Sequence, residues 1–305
     1  MLTYLTLAFG FVGLFLGGDW LVKGASGIAL RFGVAPMIIG LTIVGFGTST
    51  PELLVSLTAA FGGQPGIAIG NVVGSNIANI LLILGIAAVI APIAVNFASI
   101  RRDLLWMTGA VLILPLLFWS GTVGLIEGLL MVAALAVYLV ISLRGTNQPP
   151  DDLPEGTSLV RSGVFVLLGL GAVVLGAHFL VQSATIIARD FGVSEAMIGL
   201  SIVAIGTSLP ELATTVMAVI RGQRDIAIGN VIGSNIFNVL GILGITALLT
   251  PIPLAPRFLS VDTPLLIVVT LGVVALVWAT GRIGRISGAA MLIGYAVYIF
   301  GTANL

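Results

Sequence analysis

Long apolar runs alternate with short polar connectors along the whole chain, at a spacing too slow for a soluble fold. A helix needs about 20 apolar residues to cross roughly 30 Å of hydrocarbon. On that scale the pattern predicts ten spans, over residues 2–30, 36–61, 67–91, 103–119, 123–143, 160–187, 195–220, 226–250, 262–280 and 286–303. The first and sixth are long enough to tilt or protrude. The most polar connector, "RGTNQPPDDLPEGTSLVR" at 144–161, separates five spans from five. The expected fold is an all-α polytopic membrane protein with ten transmembrane helices.

The two halves repeat one another. "IAIGNVVGSNIANI" at 67–80 and "IAIGNVIGSNIFNV" at 226–239 differ at three positions, and the same offset of 159 carries Glu52 to Glu211 and Pro92 to Pro251. An odd number of spans per half sends the second copy into the membrane from the opposite side, which predicts two inverted five-helix repeats. Residues 1–143 form the first, 144–159 a linker and 160–305 the second. Strict alternation of sides places Arg31, Arg101, Arg102, Arg144, Arg161, Arg221, Arg224, Arg282 and Arg285 together, against Arg189 and Arg257. The positive-inside bias then puts the linker in the cytoplasm and both termini outside it, in a multi-pass protein of the cell (inner) membrane. "MLTYLTLAFGFVGLFLGG" lacks a basic leader and a cleavage signature, so it is read as the first span.

Composition narrows the chemistry. Mean hydropathy is +1.22 and only 8% of residues are charged, against roughly 25% in soluble domains. Twelve basic and twelve acidic residues cancel, and no basic tract points to nucleic acid. The absence of cysteine removes thiolate ligands and nucleophiles, and a single histidine, His178, cannot build a multi-histidine metal site. Oxygen ligands remain.

Two stretches supply them. "GTSTPE" at 47–52 and "GTSLPE" at 206–211 lie within apolar runs. Pro51 and Pro210 lack an N–H, so the helix must kink or break just before each. Irregular backbone at membrane depth persists only where protein or a water-filled cavity satisfies it. The freed carbonyls become available to a cation beside Glu52 and Glu211, with Thr48 and Thr207 one turn away. In the third and eighth spans Asn71, Ser75 and Asn79, and again Asn230, Ser234 and Asn238, recur every four residues on one face. These side chains either ligate a cation or bond across helices. Gly70 and Gly74, with Gly229 and Gly233, form small-residue stripes suited to close packing. Two carboxylates among amide, hydroxyl and carbonyl oxygens suit calcium, or several sodium ions in its place. Asp19 and Lys23, at i and i+4, are expected to pair, and Glu127 is expected to be solvated.

The paired segments "GFGTSTPELLVSLTAAFGGQPGIAIGNVVGSNIANI" and "AIGTSLPELATTVMAVIRGQRDIAIGNVIGSNIFNV" resemble the two alpha repeats of the cation/calcium exchanger superfamily, most closely its prokaryotic sodium/calcium exchangers. The resemblance covers essentially the whole chain. It implies antiport of calcium against sodium by alternating access, with no enzymatic activity, no cofactor and no protein partner beyond the lipid bilayer. It further implies that Glu52 and Glu211 are the principal calcium ligands, helped by the backbone of Thr48 and Thr207. Sodium sites would add Ser49, Ser75, Ser208 and Ser234, with the carbonyls of Gly45 and Ala204 toward the two ends. Asn79 and Asn238 would face the middle. Some relatives carry aspartate where this chain has Asn238, which argues against potassium co-transport, and Thr50 stands where the second motif has Leu209. The rival functions are a proton/calcium exchanger of the same fold and a passive cation channel.

Overall fold

The structure is a computed structural model and describes residues 2–144, 158–192 and 204–303. Helices dominate. In chain order they are α1 (Leu2–Phe32), α2 (Pro36–Thr48), α3 (Thr50–Phe61), α4 (Pro65–Ile90), α5 (Phe97–Leu112), α6 (Leu114–Leu117), α7 (Leu125–Arg144), α8 (Leu159–Asp190), α9 (Ala204–Gly206), α10 (Leu209–Ile220), α11 (Arg224–Leu249), α12 (Phe258–Thr280) and α13 (Arg285–Ala303). Among the described residues six helices are long and apolar enough to cross a membrane, and the bent pair α2–α3, counted as one span, gives seven. The start of the predicted 195–220 span, residues 195–203, and most of the 144–159 linker fall outside the described residues. The predicted 103–119 span starts earlier and breaks: α5 begins at Phe97, capped by the side chain of Asn96, and ends before Pro115 opens a separate turn.

The polarity is that of a protein in lipid. Glu52, Glu211, Asn76, Asn79, Asn235 and Asn238 are all buried, while Leu2, Leu116, Leu167 and Ile286 are exposed. Trp119 and Trp278, at duplicate positions near the ends of two spans, are also exposed, as expected for rings at a membrane–water interface.

Reciprocal contacts relate the halves. α1 and α8, at 31 and 32 residues about 46 and 48 Å long, run antiparallel through facing glycines. A Cβ on Gly10 would lie 2.8 Å from the carbonyl of Gly176, and one on Gly176 would lie 2.9 Å from that of Gly10. Gly17 and Gly169 repeat the relation at 2.9 and 2.8 Å. Since Gly169 and Gly176 are the duplicates of Gly10 and Gly17, each surface meets its own copy, as at a two-fold axis. Four short strands obey the same rule: β1 (Ile93–Ala94) pairs with β4 (Arg282–Ile283), and β2 (Thr122–Val123) pairs with β3 (Ile252–Pro253).

Wider, π-helical turns interrupt three of the helices that carry the motifs, over Gly40–Val44, Asn79–Ile83 and Phe237–Leu243. Such turns leave the regular i to i−4 ladder and cluster at functional sites. Here they lie beside the breaks and the asparagines that define the centre of the molecule.

Candidate cation site

The predicted breaks are present. α2 and α3 meet at an angle of 41° across Ser49, whose backbone (φ −84°, ψ 8°) leaves the helical region. Ser208 has nearly the same conformation (φ −87°, ψ 5°) ahead of α10. Each break starts a new helix with proline in its first turn, where a missing N–H costs nothing. Glu52 and Glu211 fall in those first turns, near the positive end of the helix dipole. Both are 1% exposed.

The motifs reach across to each other. Ser49 Oγ donates to Glu211 Oε1 at 2.7 Å, and Ser208 Oγ donates to Glu52 Oε1 at 3.4 Å. The second oxygen of each carboxylate, Oε2, is buried and has no hydrogen-bond partner. A buried carboxylate oxygen left unpaired is costly, which makes this pair the candidate centre for a positive ligand.

α4 and α11 add amides in the same arrangement. Asn79 donates its Nδ2 to Asn235 Oδ1 at 3.4 Å, and Asn238 donates its Nδ2 to Asn76 Oδ1 at 3.1 Å. Their own Oδ1 atoms are buried and unpartnered. With Nδ2 bonded across the halves and Oδ1 free, each of these residues offers an unpaired acceptor. Asn76 and Asn235 were not among the sequence candidates; the duplicated "GSNI" that contains them was the available signal.

Asn71 and Asn230 take a different part. Asn71 Nδ2 donates to the carbonyl of Glu52 and to Ser56 Oγ, both at 2.9 Å, while Asn230 Nδ2 donates to the carbonyl of Glu211 at 3.2 Å and to Thr215 Oγ1 at 2.9 Å. They clamp the two glutamate-bearing helices to α4 and α11. Ser56 and Thr215, duplicate positions that the sequence reading passed over, complete the clamps.

The remaining candidates line the same interior. Thr48 Oγ1 donates to the carbonyls of Val44 at 3.0 Å and Gly45 at 3.3 Å and lies 3.3 Å from Asn230 Oδ1. Thr207 Oγ1 lies 3.5 Å from Asn71 Oδ1. Ser234 Oγ donates to the carbonyl of Gly45 at 3.2 Å, and Ser75 is buried on the corresponding face of α4. Ala204, the duplicate of Gly45, opens α9, and its side chain lies outside the described residues.

Packing accounts for the second glycine stripe. A Cβ on Gly229 would meet the carbonyl of Met37 at 2.5 Å, and one on Gly233 would strike the backbone of Leu41. The segment 196–200, which the duplication places opposite Gly70 and Gly74, lies outside the described residues. Asp19 and Lys23 pair as expected at 2.7 Å, but Arg221 also reaches Asp19 and ties α1 to the end of α10. Glu127 is not simply solvated: its Oε2 accepts the Gly124 backbone N–H at 2.9 Å and caps the start of α7.

Among the described residues no three of His, Cys, Asp and Glu converge. The centre is therefore two carboxylates among neutral oxygens, a donor set for hard cations and not for zinc or copper. A cavity of about 410 Å³ approaches it between α3 and α8, bounded by Pro51, His178, Gln182, Gly206 and Thr207.

The family described as sodium/calcium exchanger protein matches residues 2–144 and again residues 161–303. The chain belongs to that family. The two matched segments begin 159 positions apart, the offset that relates Glu52 to Glu211. Among curated members, a putative antiporter of Alkalimonas amylolytica is 38% identical over 307 residues, covering 95% of this chain and 96% of its own length. A sodium/calcium exchanger of Methanosarcina acetivorans is 33% identical over 340 residues, covering 97% of each. The solved sodium–calcium exchanger NCX_Mj superposes with a TM-score of 0.87 at 33% identity over 98% of both chains. The solved exchanger thus has the fold of this chain over nearly its whole length.

Proposed function

We infer that this protein is a secondary antiporter that exchanges calcium for sodium across the membrane by alternating access. The observation that carries the reading is the set of four unpartnered buried oxygens: Oε2 of Glu52 and Glu211, and Oδ1 of Asn79 and Asn238. Calcium takes 6 to 8 oxygens in flexible geometry, and two carboxylates neutralise its charge. Sodium ions would occupy the same region with Ser49, Ser75, Ser208, Ser234 and the carbonyls of Gly45, Thr48, Ala204 and Thr207. Names of relatives that include sodium and calcium support this cargo.

The architecture that fits is ten spans in two inverted repeats, 1–143 and 160–305, joined by a cytoplasmic linker at 144–159, with both termini outside the cytoplasm of an inner membrane. Reciprocal pairing of Gly10 with Gly176 and Gly17 with Gly169 supports it. The duplicate positions differ in one respect: His178 borders the 410 Å³ cavity, whereas Asp19 is tied to Lys23 and Arg221. One flank of the site is approached by a cavity while the other is bridged by charge. In the cycle, the long pair α1–α8 moves across the core only when cations neutralise Glu52 and Glu211, because bare carboxylates resist transfer into apolar surroundings.

The test is calcium-45 uptake into proteoliposomes loaded with sodium and diluted into sodium-free buffer. The reading predicts uptake that needs internal sodium and survives a protonophore. Uptake driven by a proton gradient alone would make the protein a proton/calcium exchanger, and uptake independent of both gradients would make it a channel.

A further inference from the structure

Three cations that are far apart in sequence line one cavity away from the cation site. Lys23 and Ser26 of α1, Arg161 and Phe165 of α8, and Arg221 and Gln223 beyond α10 surround a space of about 420 Å³. Among the described residues no carboxylate is in its lining. Asp19 lies behind Lys23 and Arg221 and neutralises one charge of the three. The cavity keeps an excess of positive charge.

Its cations are held in place. Lys23 Nζ donates to Asp19 Oδ2 at 2.7 Å, and Arg221 is anchored to the other oxygen of the same carboxylate. The side chains of Lys23 and Arg221 remain nearly half exposed (47% and 46%), so their other N–H donors are free to meet a ligand. Arg161 lies over the ring of Phe165, 5.5 Å from its centroid, which orients the guanidinium without consuming its donors. Among the described residues no carboxylate lies within ion-pair distance of Arg161. Ser26 and Gln223 add neutral donors at the rim.

We propose that this cavity is a binding site for a phosphate-bearing anion, supplied as the headgroup of an acidic phospholipid. Basic pockets between membrane helices on the cytoplasmic side recognise such headgroups. Arg161 stands in the first turn of α8, and the end of a membrane-crossing helix is the level at which headgroups are met. A phosphate there bridges α8 to the end of α10, adding to the tie that Asp19 and Arg221 make between α1 and α10. The binding stands on its own; its consequence for movement of α1 and α8 rests on the exchange cycle proposed above.

The test reads binding, not transport. Protein purified from phosphatidylcholine bilayers containing phosphatidylglycerol is examined by native mass spectrometry for retained acidic lipid, as wild type and as R161Q, R161K and R101Q. Loss of one arginine contact lowers retention about five-fold in R161Q. R161K retains the lipid, and R101Q, which removes an arginine outside the cavity, matches wild type. Equal retention by wild type and R161Q, or an equal loss in R101Q, would overturn the proposal. A melting temperature for each variant separates lost lipid from lost fold, and a destabilised R161Q is replaced by K23Q with the same expectation. Displacement of the lipid by millimolar inorganic phosphate supports the site with a free anion as its source; resistance to it supports the lipid.

Discussion

Ser49 and Glu211, 162 positions apart, meet in a 2.7 Å hydrogen bond that joins the broken helix of one half to the carboxylate of the other. The reciprocal pair, Ser208 with Glu52, is longer at 3.4 Å. A shorter bond orients its carboxylate more firmly. Removal of a group that orients a metal ligand typically lowers affinity 10- to 100-fold. Ser49→Ala is therefore expected to raise the calcium concentration for half-maximal uptake about 10-fold, and Ser208→Ala by less. Initial uptake rates over a calcium titration check this, and an equal or reversed order would contradict it.

The clamps of Asn71 and Asn230 predict a stability effect. Each amide satisfies the carbonyl of the facing glutamate together with a buried hydroxyl. Truncation leaves those groups unpaired, at about 1–3 kcal/mol. Asn230→Ala, in the more buried clamp, should lower the thermal unfolding midpoint in detergent at least as much as Asn71→Ala. Unchanged midpoints for both would show that the clamps do not hold the helices.

The crossing of α1 and α8 predicts a contrast between neighbouring glycines. A Cβ on Gly169 would approach the Leu21 backbone nitrogen at 2.5 Å, whereas one on Gly171 meets nothing within 4 Å. Gly169→Ala should destabilise the protein by about 1–3 kcal/mol, the usual cost of overpacking. Gly171→Ala should be neutral or slightly stabilising, since alanine favours the helix. Monodisperse yield and thermal midpoint of the two variants read the difference.

Asn238 sets an expectation for potassium. With an amide there, the centre holds two carboxylates and one fewer charge than an aspartate would give. Sodium-driven calcium uptake should proceed at the same rate when all potassium is replaced by choline. A requirement for potassium would contradict it.

Much of the centre was legible in the sequence because its signals are local. Pro51 and Pro210 dictate a break from chain chemistry alone, and the four-residue spacing of Asn71, Ser75 and Asn79 puts them on one face whatever surrounds them. The duplication carries each feature of the first half to its counterpart in the second. What escaped were relationships between the halves. Asn76 and Asn235 bond to Asn238 and Asn79 of the opposite half, a pairing that spacing along one helix does not show. The second partner of Asp19 is likewise invisible to spacing, because Lys23 lies one turn away but Arg221 lies in the other half. Nor could three isolated cations, Lys23, Arg161 and Arg221, announce a shared cavity in a chain without a basic tract.

The position of a bound divalent cation decides whether Glu52 and Glu211 hold the transported ion. In crystals grown with strontium as a calcium substitute, an anomalous difference peak is expected between Glu52 and Glu211, at metal–ligand distance from both Oε2 atoms. Glu52→Gln should abolish the peak. A strongest peak elsewhere in the protein, or one that persists unchanged in Glu52→Gln, would contradict the claim that these two carboxylates hold the transported ion.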